Sequence, residues 1–307
     1  MTDFRETLAT HRPDLLRHCY RMLGSFADAE DIVQDVLLSA WKARETYAGD
    51  APVEHWLMRI ATNACLNELG RRRRRGLPQL DYAPATDLPM MEERTAAEWV
   101  TPAPDARLFP AQILEARESV ALAFLALLQR LPPRQRAVLL LKDVVGWKAD
   151  EIAAALDLSL GSVNSALHRA RETIARPAAP TTEPPPDVVR AYIRSWEDHD
   201  VESLVALLRD DVTFAMPPHS TWFRGVAAVE RFLRAPPFST RWSEGFRIVA
   251  TRANGMVALA FYRRIDAVFR PSSLQLISAI AGKVSEITSF IGVDYFRGFG
   301  LPEHIAI

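Results

Sequence analysis

Five prolines lie within the segment 177–186, and this segment divides the chain into two parts that must fold differently. A run this rich in proline removes backbone donors and fixes φ, so neither a helix nor a central strand can pass through it. Before it, apolar residues recur at helical spacing. After residue 187, short segments alternate or are rich in β-branched residues. The 307 residues therefore predict a multidomain protein, with all-α domains first and an α+β domain last.

Three helices are predicted between the N-terminus and Arg75. The first ends at Gly24, Asp28 is positioned to cap the second, and the third runs from Val53 to Arg75. The stretch after them has scattered prolines and acids without a sustained period, which predicts a linker. The predicted boundaries are a helical bundle at 1–76, a linker at 77–110, a second helical domain at 111–176, a proline-rich linker at 177–186 and a last domain at 187–307.

The third helix carries the first sign of nucleic-acid binding, because its polar face repeats every four residues. The residues on that face are Arg59, Asn63, Asn67 and Arg71, and four more arginines follow at 72–75. Arginine and asparagine are suited to phosphates and base edges. The formal net charge is −1, so the positive charge is local. A solvated helix face with a basic tail is the alternative for this segment taken alone.

The segment 148–176 has the spacing of a helix-turn-helix. Ile152 and Leu156 anchor a short first helix, residues 157–159 make the turn, and the second helix opens with small polar residues. The side chains predicted to face a major groove are Ser162, Ser165, His168 and Arg169. An ordinary helical hairpin is the alternative.

Three blocks in this order resemble the sigma-70-type factors of the extracytoplasmic-function (ECF) group, which are bacterial promoter-recognition subunits of RNA polymerase. The blocks are DAEDIVQDVLLSAWKA (28–43), EHWLMRIATNACLNELGRRRRR (54–75) and LPPRQRAVLLLKDVVGWKADEIAAALDLSLGSVNSALHRARETI (131–174). The resemblance implies a cytoplasmic transcription initiation factor that binds core RNA polymerase and promoter DNA. It also implies no catalysis, no metal and no cofactor.

The same resemblance implies which residues do this. The polymerase-binding residues would be Asp28, Asp31, Gln34 and Asp35. The −10 element would be lined by Arg59, Asn63, Asn67 and Arg71, and the −35 element would face Ser162, Ser165, His168 and Arg169. Residues 45–51 would capture a flipped base of the melted −10 element. Residues 76–109 would thread through the RNA-exit region of the polymerase.

Beyond residue 187, the pieces MPP (216–218) and WFRG (222–225) resemble SnoaL-like, nuclear-transport-factor-like domains, in which a curved sheet and helices close a conical pocket. The candidate pocket residues are Tyr192, Trp196, Met216, His219, Trp222, Phe261 and Asp294. A core filled by aromatic residues is the alternative, and a proton-transfer pair of His219 and Asp294 requires one shared cavity. The added domain is expected to regulate the factor, either by docking on the DNA-binding domains or by binding a small-molecule ligand.

Two other functions fit parts of the sequence. A helix-turn-helix regulator with a C-terminal ligand sensor has no need of an acidic helix followed by an Arg/Asn helix. An enzyme with a DNA-targeting domain would need a phosphate loop, a metal-ligand cluster or a nucleophile with its base, and the sequence offers none close together. The two cysteines lack metal-ligand spacing, and no apolar run is long enough to cross a bilayer. Both features predict a protein of the reducing cytoplasm that does not span a membrane.

Overall fold

The computed structural model describes residues 4–47, 49, 52–72, 74–86, 94–109, 121–174, 182–236, 239–240 and 244–307. The chain folds as two compact units. The first contains residues 1–76 and 100–177, and the second contains residues 77–99 and 178–307. Most of the stretch that we predicted as a linker at 77–110 therefore belongs to the unit that holds the C-terminal domain.

Three long helices begin the first unit: α1 (Phe4–Leu23), α2 (Phe26–Lys42) and α3 (Val53–Leu69). The predicted end of α1 is confirmed, because Gly24 follows it with φ +68°. The predicted cap of α2 is wrong, since the Ser25 hydroxyl accepts from the Asp28 N–H at 3.4 Å. The predicted end of α3 is also wrong, because the helix stops at Leu69. Glycine at position 70 disfavours helix, so the arginine run lies beyond it.

The other α-helices described in this unit are α5 (Asp105–Leu108), α6 (Leu122–Arg130), α7 (Pro133–Leu139), α8 (Ala149–Leu156) and α9 (Leu160–Ile174). A π-helical turn, Leu140–Val144, extends α7. Asp157 takes the left-handed conformation at φ 53°, which turns the chain sharply between α8 and α9 and confirms the predicted helix-turn-helix. The buried guanidinium of Arg136 in α7 donates to the backbone oxygens of Met22, Gln129 and Leu131.

The second unit is built on one seven-stranded sheet. Its strands are β1 (Leu208–Ala215), β2 (Trp222–Arg224), β3 (Phe246–Ala253), β4 (Met256–Ile265), β5 (Val268–Ile280), β6 (Lys283–Ile291) and β7 (Ile305–Ala306). The order is β2-β1-β6-β5-β4-β3, with β7 on β5. The β1–β6 pair is parallel and the other pairs are antiparallel. The predicted α+β domain is confirmed, although the short strands β2 and β7 were not predicted.

Helices α10 (Pro186–Glu197), α11 (Val201–Ala206) and α12 (Val226–Arg234) close one face of the sheet over an apolar core. Side chains alternate between the faces of a strand, so the core residues Leu259 and Phe261 point inward while Ala260 and Tyr262 point outward. The outward-facing residues are nevertheless buried, Tyr262 completely. The Tyr262 hydroxyl donates to the carbonyl of Pro302 at 2.8 Å, so the C-terminal segment covers part of this outer face.

The predicted linker provides another part of the second unit. Residues 77–86 include the short helix α4 (Pro78–Asp81), and residues 96–98 form a 3₁₀ turn. The side-chain amide of Gln79 donates to the carboxyl of Glu286 on β6 at 2.9 Å. We did not predict this short helix from the sequence, because four residues show no periodicity and so short a helix depends on tertiary contacts.

Candidate nucleic-acid interface

Helix α9 presents a polar face that the fold keeps clear of its own core. Val163, Ala166 and Leu167 are buried, so the residues between them point outward. The exposed side chains are those of Ser162, Ser165, His168 and Arg169, all four predicted from the sequence. The Ser159 hydroxyl accepts from the Ser162 N–H at 3.1 Å, which caps the first turn of α9. A helix N-terminus with small side chains fits a phosphate and a major groove.

The electrostatics of α9 separate its two arginines. Arg171 forms a two-point pair with Asp143, at 3.1 Å from Nε and 2.6 Å from a terminal nitrogen, and this pairing raises the pKa of Arg171. In the described part of the chain, Arg169 has no such carboxylate partner. His168 lies 3.5 Å from the Glu172 carboxylate, measured from Nε2. Arg169 is therefore the cation of α9 that is available to an incoming phosphate or guanine.

Helix α3 carries a second exposed polar face. Arg59, Asn63 and Asn67 are exposed at successive intervals of four residues, while Leu57, Ala61 and Cys65 are buried on the other side. Arg71 was predicted on the same helix but lies two positions beyond its end. Of the four residues predicted to line the −10 element, the structure therefore brings three onto one helical face and places the fourth in the segment that follows.

The arginine run after α3 folds back on the start of α2. Arg72 pairs with both Asp28 and Glu68, and Arg75 donates to Asp28 at 2.8 Å. These contacts raise the pKa of Arg72, mainly through its hydrogen bond to Asp28. The Asp28 side chain is only 17% exposed. Asp28, a predicted polymerase-binding residue, is thus engaged in holding the arginine segment in place.

The other predicted polymerase-binding residues are open to solvent. Asp31, Gln34 and Asp35 are exposed on α2, and Leu38 continues their row at 52% exposure. Residues spaced by three and four along a helix share one face, so these four form an acidic stripe that ends in a leucine. Sequence reasoning missed Leu38, although the i+3 and i+4 spacing from Asp35 and Gln34 could have revealed it.

The loop predicted to capture a flipped base is described only in part, because residues 48, 50 and 51 lie outside the described residues. At its start, the rings of Tyr47 and Trp56 lie 5.0 Å apart at an interplanar angle of 36°. Trp41 nearby packs under the guanidinium of Arg44 at 4.8 Å. Aromatic rings beside exposed arginines are the side chains on which unpaired bases stack. The Tyr47–Trp56 pair was not predicted as a site.

The predicted pocket residues of the C-terminal domain fall into two groups. Tyr192, Trp196, Met216 and Phe261 are all buried in the inner core. The Trp196 ring meets the ring of Phe261 edge-on at 5.2 Å. The Tyr192 hydroxyl donates to Gln275 at 2.9 Å, and burial raises the pKa of Tyr192. These residues fill the interior of the domain.

The second group lies elsewhere. The Trp222 indole donates to the backbone oxygen of Tyr82 at 3.0 Å, His219 is half-buried, and Asp294 is exposed. A cavity of about 320 Å³ opens at β1, β2 and β6 instead, among Asp211, Arg224 and Glu286. Its residues were not predicted, because they alternate along strands with core residues and have no motif of their own.

Two classes of feature are absent from the part of the chain that the structure describes. No group of three or more His, Cys, Asp and Glu side chains could hold a metal ion. Among the described helices, none combines the length and the apolar character needed to cross a membrane.

Comparison with known proteins gives one consistent result. Residues 8–75 match the sigma-70 region 2 family, residues 121–174 match sigma-70 region 4, and residues 189–279 match the SnoaL-like domain family. The chain is 41% identical over 318 residues to the ECF RNA polymerase sigma factor SigG of Mycobacterium tuberculosis (strain H37Rv), covering 99% of this chain and 85% of that protein.

Two more relatives come from the same bacterium. The probable ECF RNA polymerase sigma factor SigI is 28% identical over 285 residues, covering 90% of this chain and 89% of that protein. The crystal structure of the extracytoplasmic function sigma factor SigJ aligns with a TM-score of 0.58 and 23% identity, covering 98% of this chain and all of that one. The SigJ comparison shows a common fold for sigma-type helices followed by an α+β domain.

Proposed function

The chain belongs to the extracytoplasmic-function sigma factors, and on this premise we propose which of its surfaces carries each step of initiation. As a sigma factor it binds core RNA polymerase, directs it to promoter DNA and initiates transcription. The observation that carries the proposal is the pair of exposed polar helix faces, one on α3 and one on α9, each within one of the two sigma-70 regions.

We propose that α9 reads the −35 element in the major groove. Ser162 and Ser165 lie at the start of the helix, where a small side chain allows close approach to the bases. Arg169, which lacks a carboxylate partner among the described residues, supplies the two-point contact that guanine accepts. His168 lies beside it and extends the contact along the groove.

Arg169 and Arg171 make a matched test, since they lie two positions apart on one helix. Arg169→Ala should lower transcription from a −35-dependent promoter by about 5- to 100-fold, because one specific base contact is worth about 1–3 kcal/mol. Arg171→Ala should change it little, since Arg171 is held by Asp143. Run-off transcription with core polymerase measures both, and equal losses in the two variants would contradict the assignment.

We propose that α3 and the arginines after it bind the −10 element. Arg59, Asn63 and Asn67 face the DNA on one helical face, and Arg71 follows within the same basic segment. The Tyr47–Trp56 ring pair offers a stacking surface for an unpaired base. Asn63→Asp places a negative charge at this surface and should reduce promoter melting. A template already melted at −10 should still require the same asparagine, since the contact is to the DNA strand itself.

We propose that the stripe Asp31, Gln34, Asp35 and Leu38 binds core polymerase. It combines acidic groups with an exposed leucine, as expected of a surface that binds a partner with basic groups around an apolar centre. Asp35→Lys should weaken binding to core polymerase about tenfold or more, through like-charge repulsion. Asp187→Lys, an exposed charge reversal in the C-terminal domain, is the matched control and should leave binding unchanged.

The C-terminal domain is proposed to act as a regulatory domain without catalysis. Its interior is filled by Tyr192, Trp196 and Phe261, and this packing favours a structural core over a substrate pocket. We also propose that the protein acts in the cytoplasm, together with its RNA polymerase partner.

Binding of a small molecule by the C-terminal domain is a second proposal, and the cavity beside Glu286 would be the site. A helix-turn-helix regulator independent of polymerase remains the competing function that the transcription assay distinguishes.

A further inference from the structure

The cavity at β1, β2 and β6 lies where the pairing of the sheet is irregular. The ladder between β1 and β6 shifts register between Leu208 and Thr213. The ladder between β5 and β6 shifts register between Ser278 and Ala279. Irregularities of this kind redirect side chains and are frequent beside binding sites. The cavity they border has a volume of about 320 Å³, which suits a small molecule.

One polar residue from each of four neighbouring strands lies beside this cavity. Thr213 of β1 is paired with Arg224 of β2 and with Glu286 of β6, and Glu286 is paired with Ser278 of β5. Paired residues of neighbouring strands share one face of a sheet. The adjacent row belongs to the inner core and consists of Phe223, Phe214, Ile287 and Ile277. The polar row therefore lies on the outer face of the sheet.

The row carries two opposite charges that do not pair with each other. Arg224 and Glu286 both line the cavity, on the two sides of the strand that holds Thr213. Two strand spacings separate their backbones by about 10 Å. The Arg224 guanidinium lies over the ring of Trp222 at 5.1 Å, and Glu286 accepts from the neutral amide of Gln79 at 2.9 Å. Within the described ranges, neither charge has an ion-pair partner.

The remaining charge at the cavity is already neutralised. Asp211 lines the cavity, and its carboxylate lies 2.5 Å from Nε of Arg209. The cavity therefore presents one positive and one negative group at separate places, without an excess of either sign. A simple anion would be attracted by Arg224 and repelled by Glu286, and a simple cation would meet the reverse. A ligand that carries both charges satisfies both groups.

The surroundings of Glu286 favour a cationic partner there. Burial raises the pKa of Glu286, because a covered carboxylate is poorly solvated, and an ammonium group beside it would favour the ionised form. Next to it in the row, the Ser278 hydroxyl is buried and has no hydrogen-bond partner among the described residues. Buried hydroxyl groups normally have a partner. This end of the row therefore has hydrogen-bonding capacity that the described chain leaves unused.

We propose that this cavity binds a small zwitterion of amino-acid size, whose carboxylate pairs with Arg224 and whose ammonium group pairs with Glu286. The proposal rests on the proposed binding of a small molecule by the C-terminal domain, and it names the class of ligand and the two residues that select it.

Binding of defined probes to the full chain tests the ligand class. The zwitterionic probes are glycine, β-alanine and 4-aminobutyrate, in which the two charges are progressively further apart. Butyrate and butylamine each carry only one of the charges. Saturation-transfer NMR titrations measure their dissociation constants. We expect at least one zwitterion to bind at least tenfold more tightly than either single-charge probe, because each of its charges has a partner in the cavity.

Two charge-removing variants identify the residues. Arg224→Met and Glu286→Gln should each weaken binding of the zwitterion at least tenfold. Glu286→Gln should also strengthen binding of butyrate, because the repelling carboxylate is gone, and a misfolded domain could not produce this gain. The matched control is Arg247→Met on β3, since the Arg247 guanidinium also lies 5.1 Å from an aromatic ring, that of Phe269. It should leave all affinities unchanged.

The outcomes separate this proposal from those on which it rests. Binding of butyrate or butylamine as tight as that of the zwitterions would overturn the zwitterion but leave a small-molecule site. An equal loss of zwitterion binding in Arg247→Met would overturn the assignment of Arg224. Binding of none of the five probes would overturn the proposal, and run-off transcription with the same protein would show whether the sigma-factor function still holds.

Discussion

At the scale of single residues, the hydrogen bond of the buried His18 ring requires a proton on one particular ring nitrogen. Its Nε2 lies 2.9 Å from the hydroxyl of Thr62, which already donates to the carbonyl of Met58 at 2.7 Å. The hydroxyl must therefore accept from His18, which assigns the ring proton to Nε2. Among the described residues, no partner faces the buried Nδ1. Burial, and secondarily the charge of Arg21, lower the pKa of His18 to about 3.

The lowered pKa makes stability depend on pH in a defined direction. Between the unfolded pKa of 6.5 and the folded pKa of about 3, the unfolded chain binds a proton that the folded chain does not. The free energy of unfolding should therefore fall as pH is lowered below 6.5, by up to about 1.4 kcal/mol per pH unit from this group.

His18→Gln tests this, because its amide can still donate to Thr62. Urea unfolding of both proteins between pH 6.5 and 4.5 should give a steeper pH dependence for the wild type. Parallel curves for the two proteins would show that His18 is not buried in its neutral form.

At the scale of elements, helices and faces with a periodic pattern were predicted from the sequence, whereas elements that depend on tertiary contacts were not. The polar faces of α3 and α9 follow from helical spacing, and both were predicted correctly as exposed. The end of α3 was missed because the arginines continued the polar pattern beyond Gly70. Helix α4 and strand β2 are too short to show periodicity, so they form through contacts with the sheet and with Trp222.

The glycine that follows α1 leaves room for a side chain from another helix, α6. A Cβ on Gly24 would lie 2.9 Å from Cδ of Gln129, whose side chain is held by the carbonyl of Arg21. Gly146 also has a positive φ, 86°, yet nothing lies within 4 Å of the position of its Cβ. The two glycines therefore separate the cost of backbone strain from the cost of a clash.

Gly146→Ala should cost about 1 kcal/mol of unfolding free energy, from backbone strain alone. Gly24→Ala should cost about 1–3 kcal/mol more, because the buried Gln129 cannot shift freely. Chemical denaturation measures both variants. Equal losses would mean that Gln129 does not pack against the end of α1 as the structure has it.

At the scale of the whole molecule, the two structural units do not coincide with the domain boundaries that we predicted from the sequence. Residues 77–86 and 94–99 lie between the two sigma-70 regions in the chain, but fold with the C-terminal domain. Proline content and scattered charge predicted a linker there. No sequence pattern points to the residues that these segments contact, which lie more than a hundred positions away. Residues far apart in the sequence are thus brought together within one unit.

A chain that ends at residue 176 keeps α3 and α9 but lacks the C-terminal domain. With limiting core polymerase, we expect it to give several-fold more transcript from a −35-dependent promoter than the full chain, because the proposed regulatory domain no longer restrains the two DNA-binding helices. Multi-round transcription at matched protein concentrations measures this. Identical yields from the two chains would argue against regulation by the C-terminal domain.

The central claim, that this chain directs core polymerase to promoters, is tested most directly by mapping transcription start sites on a promoter library with and without the purified chain. We predict discrete new starts that require both core polymerase and the chain, each preceded by shared −35 and −10 elements. Duplex DNA binding without polymerase, together with no new start sites, would contradict it and would identify a helix-turn-helix regulator instead.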